Sequence, residues 1–139
     1  MTPFRYQQQV LFQHCDPAGI VFYPRYFEMV NATVENWFEK VLKVPFADLH
    51  MKRHSAVPTA TIKTTFKAPS RLGDVLMIDL SVEKIGGASL DLSLIATAET
   101  QTRFETFLTL VHMDMNSGKP TGWPTDIRTV LTKLMEEAS

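Results

Sequence analysis

The sequence predicts an α+β domain: an antiparallel sheet of five strands, one long helix across its concave face, and a second helix at the C-terminus. Three observations carry this. The stretch from Phe27 to Leu42 repeats apolar residues at the helical period. Five other stretches repeat them at the period of a strand or run as short apolar segments. The links between the later strands have the length and composition of turns, which implies antiparallel neighbours.

The first strand is read over Phe4 to Phe12, where Phe4, Tyr6, Val10 and Phe12 alternate with Arg5, Gln7 and Gln9. Asp16-Pro17-Ala18-Gly19 then breaks the pattern with turn formers, and Pro24 stands where a helix favours its first residue. Phe27, Val30, Val34, Trp37 and Val41 form the stripe of the long helix, widened by Phe38 and Leu42. Such a bulky stripe needs a broad apolar partner, and a curved sheet supplies one. Pro45 to Lys52 reads as a short helix or irregular segment. Pro58 to Phe66, rich in Thr, is a strand ended by Ala68-Pro69-Ser70-Arg71-Leu72-Gly73. Val75 to Lys84 alternates cleanly, Gly86-Gly87 marks a hairpin, and Leu90, Leu92, Leu94 and Ala96 resume the alternation. Phe104 to Met113 is apolar on nearly both faces and reads as a central, covered strand. Asn116 to Pro120 is a turn, and Ile127, Val130, Leu131 and Leu134 give the terminal helix.

The 139 residues form one domain, 1–139, without repeat or linker, long enough to need neither disulfides nor a structural metal. Cys15 is the sole cysteine, which points to a reducing compartment. Fourteen Lys and Arg against 15 Asp and Glu leave a net charge of -1, which disfavours nucleic-acid binding, a function that needs a basic surplus. No apolar run reaches the roughly 18 to 20 residues that span a bilayer, and the first residues lack the basic start and apolar core of a secretory signal. The expectation is a cytoplasmic protein.

The densest cluster of unusual residues is His14 to Pro24. It is a turn feeding a helix N-terminus, which offers unpaired N–H groups and a partial positive charge to an oxyanion. Pro24 has no N–H, so the donors on offer are those of Tyr23, Arg25 and Tyr26. Asp16 lies just upstream. Donors for a carbonyl oxygen beside a carboxylate that attacks or activates water are what hydrolysis of an activated acyl group requires. Equally, Asp16 could do no more than cap local amides. Cys15 reads as a small buried hydrophobe, and His14 as a strand-end residue or a general base. His50 and His54 have a ligand-like spacing but lack convincing companions, so no metal is expected. His112 reads as a satisfied core or interface histidine, and Gly86-Gly87 lacks the lysine of a phosphate loop.

The run Cys15-Asp16-Pro17-Ala18-Gly19-Ile20-Val21-Phe22-Tyr23-Pro24-Arg25-Tyr26-Phe27 closely resembles the signature of the 4-hydroxybenzoyl-CoA thioesterase family of hotdog-fold enzymes. The likeness continues through Phe66 to Leu76 and ends at Ser117-Gly118-Lys119-Pro120 and Pro124. It implies a five-stranded antiparallel sheet wrapped around one long helix, and an acyl-CoA thioesterase acting on an aromatic or a short to medium acyl group. It places Asp16 as the catalytic carboxylate, nucleophile or general base, and the Tyr23 N–H as the donor to the thioester carbonyl. It implies a homodimer or a dimer of dimers, with Pro58, Thr59, Ala60 and Thr61 of the neighbouring chain walling the acyl pocket. The family's basic cluster for the phosphates of coenzyme A is reduced here to Lys84-Ile85-Gly86-Gly87-Ala88-Ser89. Lys84 and Ser89 are its remaining contacts, and an acyl carrier protein is an alternative donor. No cofactor is implied.

Two other readings compete. A hotdog hydratase places a His soon after the Asp, and no His follows Asp16 before His50. A module that binds an acyl ligand without turnover fits the fold, since fold alone does not supply function, but leaves the Asp16 motif without a role.

Overall fold

The computed structural model describes residues 3–138; Met1, Thr2 and Ser139 of the 1–139 domain lie outside the described residues. In chain order the elements are β1 (Phe4–Gln9), a 3-10 turn (Phe12–His14), α1 (Pro24–Lys40), a π-type turn (Asp48–Lys52), β2 (Ser55–Ala56), β3 (Thr59–Phe66), β4 (Val75–Ile85), β5 (Ser89–Ala98), β6 (Gln101–Val111), β7 (Met113–Asp114), β8 (Lys119–Pro120) and α2 (Thr125–Ala138). The main sheet has the order β1-β4-β5-β6-β3, and each pair is antiparallel. Hairpins lay β4, β5 and β6 side by side. The chain then uses α1 to carry it from one edge of the sheet, β1, to the other, β3.

Helix α1 buries Tyr26, Met29, Val30, Thr33, Val34, Trp37 and Phe38 against the inward residues of the sheet, among them Leu76, Ile78, Leu80, Leu92, Leu94, Phe104 and Leu108. Each fully buried apolar side chain contributes about 1.5–3 kcal/mol. The stripe is rotated from the one expected: Tyr26, Met29 and Thr33 are buried, while Phe27 and Val41 are only half-buried. Thr33 is accommodated because its Oγ1 donates to Met29 O at 2.8 Å, so no polar atom is stranded. Helix α2 closes the core with Ile127 and Leu131.

Three expectations need correction. The first strand stops at Gln9 rather than Phe12, because β4 begins only at Val75, opposite Gln9. Beyond that point Val10 bonds the turn before β4, and Phe12 points to solvent at 83% exposure. The strand expected at Phe104 to Met113 runs over Gln101–Val111 and lies next to the edge; β5 holds the centre. Its outward face is not covered within the chain, where Phe107 is 52% exposed. The residues beyond it join a small second sheet, β2-β7-β8, which periodicity over two-residue strands could not reveal. The strand expected from Pro58 to Phe66 is present as β3, an edge strand exposed along almost its whole length that keeps Ile62 and Phe66 unburied.

Candidate active site

The residues from His14 to Phe22 fold back on themselves as a miniature hairpin. Phe22 N–H donates to His14 O at 2.9 Å, Cys15 bridges Val21, and Asp16 N–H donates to Ile20 O at 2.9 Å. At its tip Gly19 N–H donates to Asp16 O, and Gly19 adopts φ +81, a left-handed conformation that glycine reaches without a Cβ clash. The Asp16 carboxylate accepts Ala18 N–H on Oδ1 at 2.9 Å. The capping role expected of Asp16 is therefore real, but it occupies one oxygen. Oδ2 has no hydrogen bond among the described residues and remains available to water or an acyl carbon.

The return arm delivers Tyr23 to the start of α1. Of the three donors expected there, Arg25 N–H is turned back to Phe22 O at 2.9 Å and Tyr26 N–H to Tyr23 O at 3.0 Å. Among the described residues the Tyr23 N–H has no acceptor. It sits at a helix N-terminus, where the aligned peptide dipoles favour negative charge. The helix start thus narrows three candidate donors to one.

A second segment grips this hairpin from outside. Val21 N–H donates to Ser70 O at 2.9 Å, Ile20 bridges Arg71, and Leu72 N–H donates to Gly19 O at 3.3 Å. The Ser70–Asp74 turn is itself fixed by Asp74, whose carboxylate accepts Arg71 N–H at 2.9 Å and the Arg103 guanidinium at 2.7 Å. Arg103 also donates to Pro69 O at 3.2 Å. These bonds, the Arg71 N–H first and the Arg103 guanidinium second, hold Asp74 below the usual carboxylate range. Neither Arg103 nor Asp74 was singled out from the sequence. The signal available was a charged residue, Arg103, directly before the apolar run that starts at Phe104; when buried, such a charge demands a partner.

Aromatic rings surround the helix start. Phe66, at the end of β3, lies 5.9 Å from Tyr23, 5.8 Å from Tyr26 and 6.5 Å from Phe27. Beyond Phe27, between α1 and β3, runs an apolar cleft of about 280 Å³, its walls including Phe27, Val34, Phe46, Ile62 and Leu110. Thr59 lines it, and Asn31 is its other polar residue. A β-bulge between Thr59 and Thr61 breaks the alternation, so Thr59 pairs with Leu110 on the helix side while Thr61 pairs with Thr109 on the outer face. Thr61 lines a separate depression there with Lys63 and Phe107. Pro58 and Ala60 are exposed.

Lys84 and Ser89 lie at the β4–β5 hairpin, the end of the sheet away from Asp16. Since Val75 at the other end of β4 adjoins the Ser70–Asp74 turn, eleven residues of extended strand separate the two regions, about 30 Å. One chain does not bring them together.

The histidines fall into place individually. His14 is buried in the 3-10 turn rather than on a strand. His112 is buried with its ring 5.0 Å from Trp123, and its Nδ1–H donates to Thr121 O at 2.9 Å. Its Nε2 has no partner, so it is only half satisfied. His50 donates to Phe46 O at 2.8 Å within the π-type turn, while His54 lies outside that turn at φ 52. The Cys15 thiol donates weakly to Leu11 O at 3.6 Å. Among the described residues, no helix is long and apolar enough to cross a membrane.

A curated relative, the 4-hydroxybenzoyl-CoA thioesterase of Pseudomonas sp. (strain CBS-3), is 30% identical over 79 residues, 56% of each chain. The chain thus matches a little over half the length of that relative. The solved 1,4-dihydroxy-2-naphthoyl-CoA thioesterase of Synechocystis superposes with a TM-score of 0.86 at 19% identity, covering 95% of this chain and 97% of that one. A Staphylococcus aureus protein solved in complex with CoA gives a TM-score of 0.89 at 16% identity, covering 98% and 87%. Such low identities establish the shared fold. The model of the thioesterase-like superfamily matches residues 10–131, from just before the Asp16 hairpin to the middle of α2; the chain belongs to that superfamily and has its hotdog fold.

Proposed function

We propose that this protein hydrolyses acyl-CoA thioesters, with Asp16 as the catalytic carboxylate and the Tyr23 N–H as the donor to the carbonyl oxygen. The observation that carries the reading is the pairing of a free carboxylate oxygen with a single unsatisfied N–H at a helix N-terminus, both fixed by one short hairpin. As the tetrahedral intermediate forms, negative charge moves onto the carbonyl oxygen, and a preoriented donor there stabilises it. Asp16 either takes a proton from the attacking water or itself forms a mixed anhydride that water then cleaves. On both routes the carbon–sulfur bond breaks and CoA leaves as the thiol. A single turnover in oxygen-18 water identifies the anhydride route if solvent oxygen enters the Asp16 carboxylate, which happens when water attacks the Asp16 carbonyl carbon of the anhydride.

The acyl group is aromatic, or short to medium in length. The rings of Tyr23 and Phe66 at the helix start support this, as do the aryl-CoA substrates named for the Pseudomonas and Synechocystis proteins. The protein works as a homodimer or a dimer of dimers. An edge strand that leaves Ile62 and Phe66 about half exposed supports pairing with a second copy along β3. Lys84 and Ser89 then serve the nucleotide of coenzyme A from the neighbouring subunit, since within one chain they stand far from Asp16.

The test is Asp16→Asn. Asn keeps an oxygen to accept the Ala18 N–H, so the hairpin should survive, while thiol release from a panel of acyl-CoAs should fall by about 10²–10⁴. Release at the wild-type rate would remove Asp16 from the mechanism. Wild-type inactivity on every acyl-CoA, with tight binding, would favour a non-catalytic module.

A further inference from the structure

His14 closes the 3-10 turn, is only 6% exposed as a residue, and uses both ring and backbone. Leu11 N–H donates to Nδ1 at 2.8 Å, so that nitrogen carries no proton and the neutral ring holds its hydrogen on Nε2. The His14 carbonyl accepts Phe22 N–H at 2.9 Å, the bond that closes the open end of the hairpin. Asp16 lies at the tip of that hairpin, and Tyr23 directly follows Phe22.

The ring borders a polar depression shared with Gln8 of β1, Gln13, and Arg25, Glu28 and Met29 of α1. The charged groups facing it are Arg25 and Glu28, which bond one another at 3.1 Å and largely offset. Burial therefore dominates and pushes His14 below its ordinary value of 6.5.

We propose that His14 is a positioning residue of the Asp16–Tyr23 site: its neutral ring anchors the hairpin through Leu11, and its protonation releases the alignment of carboxylate and donor. A protonated Nδ1 would aim a second N–H at the Leu11 N–H, turning an attraction into a repulsion in a buried turn. The sign follows. The aligned form needs the neutral ring, so activity is held at higher pH and lost as pH falls through the His14 pKa, in a window below 6.5. This inference rests on the thioesterase reading above.

The experiment compares wild type, His14→Asn and His14→Leu in acyl-CoA hydrolysis between about pH 4.5 and 8, with kcat and KM separated and thermal unfolding recorded for each. Asn offers an oxygen near the place of Nδ1 and does not titrate in this range. H14N is expected to keep kcat at pH 8 within about threefold and to lose the acid limb seen below 6.5 in wild type. H14L, folded by its melting curve, is expected to lose kcat by about tenfold or more with KM little changed. An active wild type with an H14L kcat equal to it, or an H14N variant that retains the acid limb, overturns the proposal. A wild type that hydrolyses no acyl-CoA overturns the thioesterase reading and this inference with it.

Discussion

The Arg103–Asp74 pair offers the sharpest quantitative prediction, because its two members differ in access to water. The Arg103 side chain is 6% exposed and the Asp74 side chain 28% exposed. Asp74→Asn leaves a guanidinium charge buried without its counter-charge, and removing one partner of a buried pair costs about 3–5 kcal/mol. Arg103→Met fills the same volume and leaves a carboxylate that still accepts the Arg71 N–H and can hydrate, so about 2 kcal/mol is expected. For a domain of this size 1 kcal/mol shifts Tm by about 4 °C, so D74N should melt about 12–20 °C below wild type and R103M about 8 °C below. Circular-dichroism melts at pH 7 read both values. The pH dependence adds a second check. Asp74 is held below its ordinary 3.8, so its contribution is present above 3.8 and lost as pH falls through the folded pKa. The gap between wild type and D74N should therefore shrink at acid pH. An R103M variant as damaged as D74N, or a gap that widens in acid, would show that Asp74 does not neutralise a buried Arg103 charge. Because the turn held by this pair grips Ile20 and Val21, both variants should also lose kcat under conditions where they remain folded.

Two further substitutions probe the site. Phe66→Ala removes the ring that contacts both Tyr23 and Phe27, a wall of the apolar cleft, and kcat/KM should rise for medium-chain acyl-CoAs relative to benzoyl-CoA; an unchanged chain-length profile would separate the cleft from the acyl group. Gly19→Ala meets no atom within 4 Å, so its cost is the left-handed backbone alone, about 1–2 kcal/mol, seen as a lower Tm with a loss of kcat as the Asp16 turn relaxes.

Much of the fold was legible in the sequence because amphipathic periods are local. The long helix from Pro24, the hairpin at Gly86-Gly87 and the terminal helix all follow from period and turn chemistry within a few residues. The site was legible for a similar reason: Asp16, Gly19, Tyr23 and Pro24 lie within nine consecutive residues, and one hairpin and one helix start bring them together. The missing N–H of Pro24 already limited the donors, and the main-chain bonds of Arg25 and Tyr26 reduced them to Tyr23.

What the sequence left open is non-local. Strand order depends on which edges meet, so a strand apolar on both faces suggested a centre, whereas the antiparallel ladder placed it beside the edge. The bulge that turns Thr59 inward and Thr61 outward exists only because β3 is registered on β6, and alternation alone would have put both on one face. The roles of Ser70, Asp74 and Arg103 likewise depend on residues 29 to 53 positions apart meeting behind the Asp16 hairpin. Short-range bonds encode the elements and the chemistry of the Asp16–Tyr23 segment, so both can be read along the chain. Tertiary structure decided what braces that segment and where the cleft runs, because those contacts arise only when distant strands close on one helix.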